Sequence, residues 1–153
     1  MKIFLDTNLF LEYIEERSEA DNVELILNAI AEGEHQGVLS QGSFYTLAFL
    51  LERALKAKGI HKPFQTEYLR KLLADIQATA RVVGVSHEFL NDALQDKAFT
   101  DLEDSFQYRC ALENNCDVLL TINIKDYRRA DLSALEILSP SDFVSRYLSA
   151  TVN

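Results

Sequence analysis

The chain has no tryptophan, one methionine, two prolines and only five glycines. So little proline and glycine excludes a long linker or a low-complexity segment. The 153 residues are therefore expected to form one domain, 1–153, long enough to bury a full core. The two cysteines, Cys110 and Cys116, lack CxxC spacing and have no histidine near them in sequence, so they read as small buried hydrophobes. The three histidines, at 35, 61 and 87, share no helical ligand spacing, which argues against a histidine-based zinc site. No apolar run is long enough to span a bilayer. The opening Met1-Lys2-Ile3-Phe4-Leu5-Asp6 meets an acid too soon for a signal-peptide core. The expectation is a cytoplasmic protein with no membrane partner.

Positive charge is also scarce. Fifteen Lys and Arg stand against 24 Asp and Glu, for a formal charge of -9. That excludes a broad basic surface holding nucleic acid by counterion release alone. A nuclease remains open, because catalytic carboxylates add to the negative total and a bound cation reverses their local field.

What is present is an alternation of strand and helix patterns. Residues 2–5 (Lys-Ile-Phe-Leu) read as a short buried strand. Thr7 or Asn8 can cap a helix carrying Leu9, Phe10, Tyr13 and Ile14. Asp21 or Asn22 opens another with Val23, Ile26, Leu27 and Ile30, which Gly33 ends. Strand 37–40 is followed by a helix over about 43–58, closed by Gly59. Pro63 then sits in a first helical turn, before Leu69, Leu72, Leu73 and Ile76 at helical spacing. Further elements are expected as strand 81–85, helix 87–97, helix 101–114, strand 117–121, strand 135–138 and a closing helix through Leu148. Strands joined through helices pair in parallel by right-handed crossovers. The expected fold is an α/β three-layer sandwich around a mostly parallel sheet.

Three acidic motifs carry the chemistry. Asp6 directly follows an apolar strand, where open α/β sheets place their ligands. It is equally suited to capping the next helix. Asp101 and Asp104 share a helical face, although Asp101 as N-cap and Asp104 in the first turn also suit a capping box. The run Asp117-Val118-Leu119-Leu120-Thr121 then leads into Asn123, Lys125, Asp126 and Arg128. A parallel sheet brings that strand's carboxyl end beside Asp6. Carboxylates in one crevice repel one another unless a cation sits between them, which points to Mg²⁺ or Mn²⁺. Lys125, Arg128 and Arg129 are placed to hold a phosphate. Most aromatics, including Phe49 and Tyr68, read as core. For Tyr45 and Tyr127 a platform on which a base can stack is the lesser alternative to core.

Phe4-Leu5-Asp6-Thr7-Asn8, Asp101-Leu102-Glu103-Asp104-Ser105-Phe106-Gln107-Tyr108 and Leu119-Leu120-Thr121-Ile122-Asn123-Ile124-Lys125-Asp126-Tyr127 together resemble the PIN-domain family, in particular its bacterial branch of VapC-type toxins. The resemblance spans essentially the whole chain and implies a Mg²⁺- or Mn²⁺-dependent ribonuclease. It also implies a small antitoxin partner and a homodimer. By position, Asp6, Asp101, Asp104 and Asp126 would be its catalytic acids, with Asp6, Asp104 and Asn123 at the metal. Asn8, Thr121, Lys125 and Arg128 would contact RNA. One departure stands out: Thr46 falls where the family usually carries an acid. Glu52, six residues on, lies about 240° around the helix and cannot replace it. The alternative is a degenerate PIN fold that binds RNA or protein without cutting.

Overall fold

A computed structural model describes residues 1–149. Its five strands are β1 (Lys2–Leu5), β2 (Gln36–Ser40), β3 (Ala80–Val83), β4 (Val118–Leu120) and β5 (Glu136–Leu138). They pair entirely in parallel in the order β3-β2-β1-β4-β5. The helices are α1 (Thr7–Ile14), α2 (Ala20–Ala31), α3 (Gln41–Ala57), α4 (Phe64–Thr79), α5 (His87–Gln95), α6 (Leu102–Glu113) and α7 (Pro140–Phe143). A 3-10 turn spans Ile124–Tyr127, and α7 continues as a π-helical segment, Val144–Leu148.

Alternation along the buried strands makes this a sandwich. Ile3, Leu5, Leu39, Val118 and Leu120 join one core with Leu9 and Phe10 of α1, Ile26 of α2, Leu47 of α3, Ile76 of α4 and Phe143 of α7. Phe4, Val38 and Leu119 point to the opposite face, against Tyr108 and Ala111 of α6, Phe99, Tyr127 and Leu135. Helix α5 packs on α6. The expected α/β/α architecture is the one observed.

The local differences have simple causes. Asp6 rather than Thr7 or Asn8 caps α1, through a bond that its carboxylate accepts from the Asn8 N–H. Strand β3 stops at Val83, two residues short of expectation. Phe49 and Tyr68, expected in the core, are 64% and 53% exposed; Tyr13 is also exposed. Tyr127, for which a stacking platform was the lesser alternative, is 1% exposed and belongs to the core. Its hydroxyl finds a partner inside, which is what lets a tyrosine sit there. Both cysteines are buried and free, and burial pushes their thiols up, to about 12 for Cys110 and about 11 for Cys116.

The sheet order reverses beside β1: the chain runs outward through β2 and β3, then returns to lay β4 on β1's other edge. This switch point is where parallel sheets open a crevice at the strands' carboxyl ends. On the opposite end, α2 lies close over β2 at Gly37. A Cβ there would meet the Thr79 carbonyl oxygen at 3.2 Å and two Ile30 carbons at 3.3 Å. Gly37→Val is therefore expected to destabilise the fold by about 1–3 kcal/mol, despite valine's preference for strands. Urea unfolding checks this, as a lower midpoint at unchanged slope.

Candidate active site

The crevice is built from the backbone outward. The Asp6 N–H donates to the Leu120 carbonyl at 3.1 Å, extending the β1–β4 ladder one step. That step sets Asp6 beside Thr121. The Thr121 hydroxyl donates to Asp6 Oδ2 at 2.6 Å, and the same oxygen of Thr121 accepts from the Asn123 N–H at 3.0 Å. Asp6 is 1% exposed. Burial raises its pKa, opposed by hydrogen bonds from Thr121, Asn8 and Gln107, while the charge of Asp101 adds to the rise.

Asp104 enters from α6. Residues 104, 107, 108 and 111 fall on one helical face, and all four are buried. The face that packs on the sheet thus also carries the acid into the crevice. The Tyr127 hydroxyl donates to Asp104 Oδ1 at 3.3 Å. Burial, then the charges of Asp6, Asp101 and Asp126, push Asp104 up to about 7. Burial also raises Tyr127, followed by the charges of Asp6 and Asp104, so its hydroxyl stays a donor.

The remaining sequence-derived residues divide by exposure. Asp101 is the exposed N-cap of α6, its carboxylate accepting from the Glu103 N–H at 2.8 Å. The capping function is real, and its charge is still felt at both Asp6 and Asp104. Asn123, Lys125, Asp126 and Arg128 are exposed on and around the 3-10 turn; the Asn123 N–H reaches Thr121, and the charge of Asp126 is felt at Asp104. Asn8 is half-buried. Thr121 is the correction: with 0% exposure it has no surface to offer a substrate, and its hydroxyl serves Asp6 instead.

Five residues of the surrounding network were not singled out as site residues from sequence. Gln107, 2% exposed, accepts from the Thr7 N–H at 3.1 Å and from the Ser43 hydroxyl at 3.4 Å. The Ser43 and Thr7 hydroxyls lie 2.8 Å apart, and Ser40 donates to Ser43 at 2.8 Å. Thr7 also donates to Glu103 at 3.1 Å. The one available signal was the i, i+3 spacing of Gln107 from Asp104. The other buried acid, Glu12, accepts from the Glu19 N–H and faces Arg17 at 3.8 Å, closing the α1–α2 connection rather than the crevice.

The donors suit a hard cation. Two buried carboxylates converge, and each is driven toward protonation when nothing positive stands between them. Among the described residues, no three His, Cys, Asp or Glu side chains converge as a metal-holding group. The set therefore fits Mg²⁺ or Mn²⁺, which bind through one or two carboxylates and keep several waters, better than an all-protein cage.

Residues 2–125 match the sequence model of a family described as PIN domain. No curated protein matches the chain. Among solved structures, the fold is similar to VapBC2 from Rickettsia felis, bound to a DNA fragment from its promoter. That match has a TM-score of 0.64 at 18% identity, covering 91% of this chain and 98% of that one. It is also similar to VapBC-1 from nontypeable Haemophilus influenzae, with a TM-score of 0.57 at 17% identity, covering 92% and 99%.

The electrostatics give a pH prediction for the metal-free protein. Asp104's folded pKa, about 7, lies above its ordinary value of 3.8, so the folded state holds the proton more tightly. The resulting stabilisation is full below about pH 4 and is lost as pH rises through about 7. Asp104→Asn should flatten the fall in Tm across that window and melt above wild type at pH 8. Thermal melts in EDTA at closely spaced pH values read this directly.

Proposed function

This chain belongs to the PIN-domain family, and from that premise we propose that it is a Mg²⁺- or Mn²⁺-dependent ribonuclease of the toxin type. The observation that carries the reading is the burial of both Asp6 and Asp104 at the sheet's switch point, with the charge of Asp6 felt at Asp104. Both are candidate ligands, with Asn123 at the rim as a third oxygen donor. A cation held there would neutralise charge developing on the phosphate and lower the pKa of the attacking water.

The chain's own residues do the rest. Thr121 fixes one oxygen of Asp6, and Tyr127 fixes one oxygen of Asp104. Lys125 and Arg128, exposed on the rim, hold the phosphodiester by charge-assisted hydrogen bonds. Asn8 borders the crevice as a further polar contact. Asp101 and Asp126 add negative charge around it, which favours the cation and the protonated side of any water placed there. Water attacks phosphorus in line as the P–O bond to the leaving ribose oxygen breaks; a rim carboxylate takes the attacking water's proton, and the leaving oxygen takes a proton from solvent to depart as an alcohol. Asp126, exposed and close enough to raise Asp104, is the residue assigned that transfer.

The two VapBC structures of the same fold support a restraining antitoxin for this chain. We place it in the cytoplasm as a single-domain homodimer. No helix of the described residues is long and apolar enough to cross a membrane.

A second reading is favoured by one observation. On the α3 side of the crevice the groups reaching Gln107 and Thr7 are hydroxyls, and Thr46 supplies no carboxylate. A binding module without catalysis would look the same. RNA held equally in EDTA and in Mg²⁺, and never cut, would select it.

The nuclease reading predicts that Asp6→Asn and Asp104→Asn each lower RNA cleavage by about 100-fold or more, with RNA binding largely kept. Single-turnover cleavage of a labelled RNA pool with Mn²⁺ measures it. Equal cleavage by wild type and Asp6→Asn would overturn the assignment.

A further inference from the structure

We propose that a recess beside the crevice, lined from β2, β3, α3 and α6, is a subsite for one unstacked RNA base, with Tyr45 as its stacking platform and Gln41 at the base's edge. The assignment rests on the nuclease reading above, which places that base next to the scissile phosphate.

The sheet sets the recess beside the acids. The register of Phe4 with Val38 puts Ser40, at the end of β2, level with Asp6. Ser40 pairs in turn with Val83 of β3. Neighbouring strands lie about 4.8 Å apart, so the row that holds Thr121 and Asp6 continues one strand on to Ser40 and then to Val83. Ser40 and Val83 line the recess with Gly84, Tyr45 and Phe106, around a volume of about 390 Å³. Hydrogen bonds join the two places as well. The hydroxyls of Ser40 and of Thr7, the residue after Asp6, each donate to Ser43 at 2.8 Å.

The lining selects the class of ligand. None of its side chains is charged, although the chain as a whole carries -9. A phosphate finds no cation there to pair with. A nucleobase is neutral and planar, and sites for single strands hold bases on aromatic faces. Tyr45 is 63% exposed, so its ring has a face to offer. Phe106, half-buried on α6, adds a second aromatic wall. Tyr45 is also held in place. It follows Gln41 by one turn of α3, and the Gln41 amide meets the tyrosine hydroxyl at 2.9 Å. Whichever way the amide is turned, the pair retains one donor and one acceptor for a ligand. The edge of a base offers the matching groups side by side.

The test uses the full chain and short single-stranded RNAs carrying 2-aminopurine at each position in turn, whose fluorescence falls on stacking. Stopped-flow mixing in Mn²⁺ reads stacking ahead of cutting, and Tm, kcat and KM are measured alongside. Tyr45→Ala removes the platform, and Tyr45→Phe keeps the ring without its hydroxyl. Gly84→Leu adds bulk at the recess, where a Cβ meets nothing within 4 Å. Wild type should quench at one position next to the cut. Tyr45→Ala and Gly84→Leu should lose that quench and raise KM roughly 5- to 100-fold, with kcat and Tm little changed. Tyr45→Phe should keep the quench and lose the preference for one base there. Tyr68→Ala, on a separate recess, should match wild type. Cleavage without a quench at any position, or a quench and KM unaltered in Tyr45→Ala and Gly84→Leu, would overturn the subsite and leave the nuclease intact. A quench lost in both variants of a protein that never cuts RNA would fail the nuclease reading and keep the base site. A wild type that neither quenches nor cuts fails both.

Discussion

A carboxylate with 1% exposure at the end of a central strand is the constraint around which this molecule is arranged. Water is excluded from Asp6, so the protein must supply its hydrogen bonds. It does so from two elements: the Thr121 hydroxyl after β4 and the Asn8 N–H in α1. Those bonds stabilise the charged form while burial and neighbouring acids oppose it. The same opposition pushes Asp104 up to about 7. Such strain on two adjacent acids is a poor way to stabilise a fold and a good way to hold a divalent cation.

The sheet makes this pairing possible. Parallel pairing of β1 with β4 sets Asp6 level with Thr121, and the reversal of strand order opens the crevice above them. Helix α6 then packs Tyr108 and Ala111 on the sheet through the face that also carries Asp104. Core and site are consequently one construction. Disturbing the packing of α6 would move an acid as well as a side chain of the core.

Much of this is legible in the residues themselves. Apolar runs of three to five residues between amphipathic segments specify parallel strands, and Gly33 and Gly59, at φ +83 and +79, close their helices as their position suggests. Asp6 and Asp104 are marked by where they fall relative to strand and helix starts. Exposure is less legible. Phe49, Tyr68 and Tyr127 are all aromatics in periodic or near-strand contexts, and only tertiary packing decides that the first two face out and the third in. Thr121 and Gln107 are harder still. Each has an ordinary polar side chain whose importance arises from a partner about a hundred residues away in sequence, Asp6 or Thr7.

In the proposed nuclease Thr46 offers no carboxylate, and the cation's binding would fall on Asp6 and Asp104. We propose that one divalent ion sits between Asp6 and Asp104. Anomalous diffraction from a crystal soaked in millimolar Mn²⁺ tests it most directly. A peak bonded to both carboxylates at about 2.0–2.3 Å, with waters completing the shell, is the expected result. A crevice without a peak, or manganese bound only at rim carboxylates, would contradict it.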